Sequence, residues 1–340
     1  MRKTLVLFII ILLTFSISLS AYSKKKSRPK WLNNPKSVYN PQLYLTAIGE
    51  GDTRLEAENS AIGAISKIFE SKINVDESTK EEYQELLKND KAQASTSTKI
   101  NKSIKLNSSQ TLFNIQFGES YTDDLGRTYV LAYLDRMKTA DIYLDKIETN
   151  SKKINQYLKL ENMITDPIKK YSYLKSALVV ANWNEVLLSQ LDIISPSMKD
   201  FNEKSYDVVK IKNTFNKVAK EIKFNIKIDA KNATGVSDYL TSLINKCGFS
   251  VTNENSDFII SGTAEIKKMD LKRKVKFVHW EIFLKVVNKG DVIFSFQKSG
   301  REGHITYEQA KSRALREINK KIQKQFYKEL MNHIMKYSEN

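Results

Sequence analysis

The chain has 340 residues, 41% hydrophobic and 28% charged, a composition that excludes a disordered or low-complexity protein and is long enough for two or three domains with cores. Its 55 basic residues against 39 acidic give a formal net charge of +16, and the one cysteine, Cys247, rules out an intramolecular disulfide. Such a charge selects anionic partners, nucleic acid inside a cell or lipid head groups, acidic wall polymers and acidic protein surfaces outside the cytosol; the alternative is lysine spread over solvated faces.

Residues 1–23 combine Arg2 and Lys3, an unbroken apolar run over 5–13 and small residues with two plausible cleavage points. This is the pattern of a secretory signal peptide. The apolar stretch is near the short limit for crossing a bilayer, and the five basic residues after it, against two before, would place an uncleaved anchor with its bulk in the cytoplasm. Export with cleavage is therefore the expectation. Removing the leader lowers the charge by two, to +14. A lipoprotein needs a cysteine at the cleavage site, and Cys247 is far downstream, so lipid anchoring through the leader is not expected.

Residues 24–42 are basic and proline-rich, and Pro29, Pro35 and Pro41 predict an extended entry segment. Lys24, Lys25, Lys26, Arg28, Lys30 and Trp31 form a candidate contact surface for an anionic membrane, set against a solvated tail with Trp31 tucked onto the first domain. Over 43–48 a strand is predicted. The turn Gly49-x-Gly51 follows, and then a helix opened by Thr53-x-x-Glu56, a capping box in which hydroxyl and carboxylate each satisfy a free backbone N–H. Ala57 and Ala61 share one face of it and let it lie close on a sheet.

Strand, Gly-x-Gly and helix have the placement of a phosphate loop. Glu50, Asp52, Glu56 and Glu58 surround it, however, and the third glycine and the Gly-Lys-Ser/Thr pattern are missing. The turn is therefore expected to serve packing. Residues 302–314 echo it, with Gly303, Ala310 and Ala314 after a β segment, which predicts the same docking device in a second place.

Residues 73–107 give no clear pattern beyond a short helix. Strands over 111–121 and 128–134, joined through an Asp/Gly turn, predict a hairpin that completes a first α+β domain over 43–138. Apolar residues at helical spacing over 139–164 and 167–195, separated by Asp166-Pro167, predict an antiparallel helical hairpin over 139–200, acting as a spacer. Residues 205–340 then predict a second α+β domain in the order β-α-β-β-β-β-α. Its last helix carries Ala310, Ala314, Ile318, Ile322, Phe326, Leu330 and Ile334 strictly four apart. At 100° per residue that row drifts by about 40° per step, so it cannot stay against one flat sheet unless the helix bends. Either it bends around its own core, or Phe326, Leu330, Met331, Ile334 and Met335 meet a partner.

Pro29-x-Trp31, the run 43–51 (LYLTAIGEG), the Ala57 and Ala61 helix, and the strand 129–136 (YVLAYLDR) together resemble the Lpp-twenty lipoprotein family of exported bacterial envelope proteins, over about a third of the chain. A related domain opens flagellar assembly protein T. The resemblance implies an envelope scaffold or assembly role, with flagellar association as one form of it, and no catalytic residue to carry over; the missing lipobox cysteine departs from the pattern.

Chemistry-bearing motifs are sparse. His279, His304 and His333 have no ligand spacing, Cys247 sits on an apolar helix stripe, and Asp123-Asp124 suits a turn better than a calcium site. No catalytic, cofactor or metal residue is assigned. The expected class is a non-catalytic exported protein that binds an envelope protein or cell-wall polymer and no nucleic acid. The alternative is an extracytoplasmic hydrolase with unrecognised carboxylates.

Overall fold

The computed structural model of the chain describes residues 27–70, 77–93, 112–200, 204–271 and 274–336. The predicted leader, Lys24, Lys25, Lys26 and, of the patternless stretch, 73–76 and 94–107 therefore lie outside the described residues. The chain divides into two compact units, one of residues 1–74, 102–142 and 193–195, the other of 75–101, 143–192 and 196–340. Both are α+β.

In the first unit the entry segment is not wholly extended. Pro29 and Pro35 bracket a single turn, α1 (Lys30–Asn33), and Pro35 then opens a three-residue 3-10 turn, where its missing N–H costs nothing. The strand β1 (Tyr44–Gly51) is followed by the helix α2 (Arg54–Glu70). In the second unit, α3 (Glu77–Gln93) comes next in the sequence. The chain then returns to the first unit for β2 (Gln116–Thr122) and β3 (Thr128–Asp135).

The first sheet has the order β1-β3-β2, antiparallel throughout, with Ile48 opposite Leu131 and Tyr121 opposite Tyr129. The β2–β3 turn is organised by Asp123, whose Oδ1 accepts from the N–H groups of Leu125 (3.0 Å) and Arg127 (2.9 Å), while Gly126 takes φ +83°. Asp123 thus serves the turn. The core of this unit is made of Ala57, Ala61, Ile65 and Phe69 from α2 with Val130, Ala132 and Leu134 from β3.

The helix α4 (Arg136–Asn162) starts in the first unit and from Tyr143 onward belongs to the second, where it pairs with α5 (Pro167–Ile194). Asn150 Nδ2 donates to Asn184 Oδ1 at 2.9 Å, and Asn184 Nδ2 donates to the Ile147 carbonyl at 3.0 Å, so the buried amides satisfy one another across the pair. The short helix α6 (Pro196–Asp200) and then α7 (Val208–Glu221) follow, the latter opened by Asp207 accepting from Lys210 N–H at 3.0 Å.

This hairpin is not a free spacer. Ile168, Tyr171 and Leu174 of α5 lie in one core with Phe224, Phe249 and Phe258, because an α5 that is apolar nearly all round has to bury more than one face. Nor does α3 join the first domain, where the sequence had placed residues 43–138. Tyr83 stacks on Trp183 (5.1 Å between ring centroids, 17° between planes) and donates to Asn150, and Glu82 pairs with Lys175 at 2.9 Å.

The second sheet is built from β4 (Lys223–Lys231), the helix α8 (Val236–Lys246), β5 (Ser250–Val251), β6 (Phe258–Met269), β7 (Lys276–Asn288) and β8 (Asp291–His304). The order is β5-β4-β6-β7-β8, with β4 parallel to β5 and β6 and the rest antiparallel. Val278, Trp280, Ile282, Leu284 and Val286 face the core, as their alternation predicts. Lys289 and Gly290, at φ +50° and +95°, make the two-residue turn between β7 and β8.

The last helix has three parts, α9 (Tyr307–Lys321), a π-helical turn over Ile322–Phe326, and α10 (Tyr327–Met335). All seven residues of the four-apart row are completely buried. The π turn explains how. Its i→i+5 bonding puts more residues in a turn, so four residues fall short of a full rotation there and reverse the drift accumulated along α9.

Candidate contact surfaces

At the Gly-x-Gly turn the backbone is already occupied. Glu56 Oε2 accepts from Asp52 N–H (2.9 Å) and Thr53 N–H (3.2 Å), and Thr53 Oγ1 accepts from Glu56 N–H at 3.2 Å. The N–H groups that would cradle a phosphate are thus bonded to a carboxylate of the protein itself. The glycines serve another need. A Cβ on Gly49 would stand 2.1 Å from both the Ala57 carbonyl oxygen and the Ala61 nitrogen, and one on Gly51 would stand 2.5 Å from Glu56 Cβ. Strand and helix touch backbone to backbone there.

The echo at 302–314 is real in the helix and different in the strand. Thr306 caps α9 by accepting from Gln309 N–H at 3.3 Å, and Ala310 and Ala314 lie four and eight residues beyond it, as Ala57 and Ala61 lie beyond Thr53. All four alanines are fully buried. A Cβ on Gly303, however, would meet the Phe277 ring at 2.5 Å, its cross-strand partner, rather than the helix. The two helices share one docking recipe; their glycines do not.

Of the described entry-segment residues, Arg28 and Lys30 are exposed, while Trp31 is only 6% exposed. A buried indole cannot sit in a head-group layer, so Trp31 is an anchor of the first unit. Most of the partner surface expected on the final helix is likewise taken up by the core. Phe326, Leu330 and Ile334 lie inside the second core, with Phe326 against Phe294 (5.5 Å) and Phe296 (5.7 Å). Met331 packs on the same core, and the Met335 carbonyl accepts from Ser172 Oγ at 2.8 Å. Phe326, Leu330 and Ile334 are thus spent on the fold, while Met331 and Met335 stay half-buried beside them.

Cys247, His304 and His333 have structural tasks. Cys247 Sγ donates to the Leu243 carbonyl at 3.0 Å, and burial pushes its thiol up, away from the thiolate that a nucleophile requires. His304 Nδ1 accepts from Ile305 N–H at 2.9 Å, and His333 stacks on Phe294 with 2° between planes. Among the described residues no group of three or more His, Cys, Asp or Glu could hold a metal ion. An open depression of about 520 Å³ on α8 is lined by Asp238, Thr241, Ser242, Asn245 and Lys246, with a single carboxylate.

What the sequence did not single out is the length of β8. It runs 14 residues at one end of the second sheet, through the polar, glycine-containing stretch 298–303. The signal was present in Trp280 and Phe277, whose rings lie over Gly300 and Gly303 directly across the pair.

No family model matches the chain, and no curated protein matches it. Among solved structures, it is similar to a secreted protein of Helicobacter pylori, HP1454, at 13% identity and a TM-score of 0.38, over 87% of this chain and 97% of that one. Rare lipoprotein B of Shewanella oneidensis is similar at 10% identity and 0.23, over 32% and 97%, and lipoprotein GNA1162 of Neisseria meningitidis at 11% and 0.22, over 29% and 96%. The neighbours in structure are thus a secreted protein and bacterial lipoproteins. Among the described residues no helix is long and apolar enough to cross a membrane.

Proposed function

We propose that this is an exported, non-catalytic protein of a bacterial cell envelope, acting as a scaffold or assembly component through contacts with an envelope protein or a wall polymer. The observation that carries the reading is the leader over 1–23, with its two basic residues, short apolar run and small-residue exit. The resemblance of β1, α2 and β3 to the Lpp-twenty pattern supports the same compartment, with a periplasmic location and a flagellar association as its finer forms. The one site with the placement of a nucleotide loop is filled by Glu56, which favours binding over nucleotide chemistry.

Fractionation followed by amino-terminal sequencing tests the proposal. A mature chain beginning near residue 24 in the envelope fraction is the expected result; a chain still beginning at Met1 in the cytosolic extract refutes it.

A further inference from the structure

The outer edge of β8 is an unfilled place in the second sheet. β8 pairs with β7 on one side, and no strand lies on its other side among the described residues. Backbone direction along it follows from one hydrogen bond. Arg313 Nη1 donates to the Gly303 carbonyl at 3.1 Å, so that carbonyl points away from β7. In an antiparallel pair the groups of alternate residues point to the same side, which directs the N–H and C=O of Ser295, Gln297, Ser299 and Arg301 outward as well. Among the described residues, none of these outward backbone groups has a hydrogen-bond partner. All four residues are exposed.

Charge says what fits. Residues 295–301 carry Lys298 and Arg301 and no carboxylate, and Arg313 lies exposed beside the same edge. None of the three cations is ion-paired among the described residues; Lys298 and Arg301 lie over the rings of Phe296 (5.7 Å) and Phe277 (5.4 Å). The nearby Glu281 accepts from Gln297 Nε2 at 2.9 Å on the sheet's open face, and Glu302 comes at the far end of the stretch. A second copy of β8 laid on this edge would bring like charge to like charge, the usual defence of an edge against self-pairing. An acidic strand meets no such penalty.

We propose that the outer edge of β8 receives an extended, acidic segment of a partner protein as a sixth strand, its main chain bonding to Ser295, Gln297, Ser299 and Arg301 and its carboxylates to Lys298, Arg301 and Arg313. This deepens the binding role proposed above and rests on it. The test uses purified protein, so its outcome is independent of where the protein resides.

The probe is a fluorescent synthetic peptide repeating Thr-Thr-Glu-Glu, which puts carboxylates on both faces of an added strand, with a Thr-Thr-Lys-Lys peptide as control. Binding of the glutamate peptide alone is expected, with amide exchange at Ser295, Gln297, Ser299 and Arg301 slowed tenfold or more. Ser299→Pro deletes an outward N–H and leaves the β7 ladder whole, so it weakens binding at least tenfold where Ser299→Ala does not. The double variant Lys298→Glu/Arg301→Glu, which keeps every backbone group, weakens it likewise. No binding, equal binding of both peptides, or full binding by the double variant overturns the proposal. So does protection of those four amides without peptide, whether constant, meaning the edge is already covered, or rising with protein concentration, meaning a second copy takes it.

Discussion

Gly49→Ala adds one methyl group where β1 and α2 meet. The new Cβ would lie 2.1 Å from the Ala57 oxygen and the Ala61 nitrogen and 2.7 Å from the Ala61 Cα, all backbone atoms of a regular helix that cannot rotate aside. Reaching ordinary contact at 3.4 Å requires the helix to retreat by about 1.3 Å, which opens the packing of Ala57, Ala61 and Ile65 along its whole buried face. Overpacking of this kind costs roughly 1 to 3 kcal/mol, and a clash with fixed backbone belongs at the upper end. Replacing glycine in a strand returns about 0.5 to 1 kcal/mol by restricting the unfolded chain. The net expectation is about 2 kcal/mol of destabilisation, which raises the opening equilibrium of this unit roughly 30-fold. Amide exchange of the β1 and α2 peptides, read by mass spectrometry, measures it. Gly63 supplies the control, since a Cβ there meets nothing within 4 Å, so Gly63→Ala should slow exchange by stabilising α2 by about 0.5 to 1 kcal/mol. Equal effects of the two alanines, or a neutral Gly49→Ala, would refute the close-approach argument.

Three further outcomes are expected of the second unit. Deleting Lys324, exposed within the π turn, converts it to ordinary helix and keeps both flanking rows on the core, so the melting temperature should fall much less than on deleting Glu329, which swings Leu330 and Ile334 off the core. Thr306→Ala removes the cap of α9 and should cost about 1 kcal/mol in urea titration, with Thr306→Ser close to neutral. The Tyr206 phenol is pushed up to about 12, first by burial and then by the Glu185 carboxylate, against an ordinary value of 10.0. A group whose pKa is raised on folding contributes stability that is whole below pH 10 and lost as the pH climbs towards 12. Tyr206→Phe should therefore flatten the decline of the urea midpoint between about pH 9.5 and 11.5; an unchanged slope would remove Tyr206 from the account.

Local chemistry was legible in the sequence wherever one residue type has one main use. Thr53 and Glu56 form their capping box, Asp123 and Gly126 their turn, and the alternation 278–286 faces the core as read. Even the drift of the four-apart row is calculable from helix geometry alone. Its resolution is not, since a π turn is held in place by the core rather than by the local sequence at Ile322–Phe326. α7 is less legible although Ile211, Val218 and Ala219 have helical spacing, since an Asp such as Asp207 suits a turn as well as the cap it forms here. The placement of α3 depended on Tyr83 finding Trp183 a hundred residues later, a pairing that no window along the chain contains. Candidate surfaces fared worst. Trp31 and Phe326 looked like contact residues for being large and apolar, and that same property buries them.

One guanidinium has a bearing on the order of events during synthesis. Arg136 donates Nε to the Pro41 carbonyl at 3.0 Å and Nη1 to the carbonyls of Ile193 and Ile194, both at 2.8 Å. Residues 193–195 belong to the first unit although 143–192 do not. A ribosome that has released residue 142 has therefore not yet delivered everything this unit binds. Its last bonds wait until the chain has come round through Ile194, so the amino-terminal unit cannot complete itself before the long helices α4 and α5 have been made.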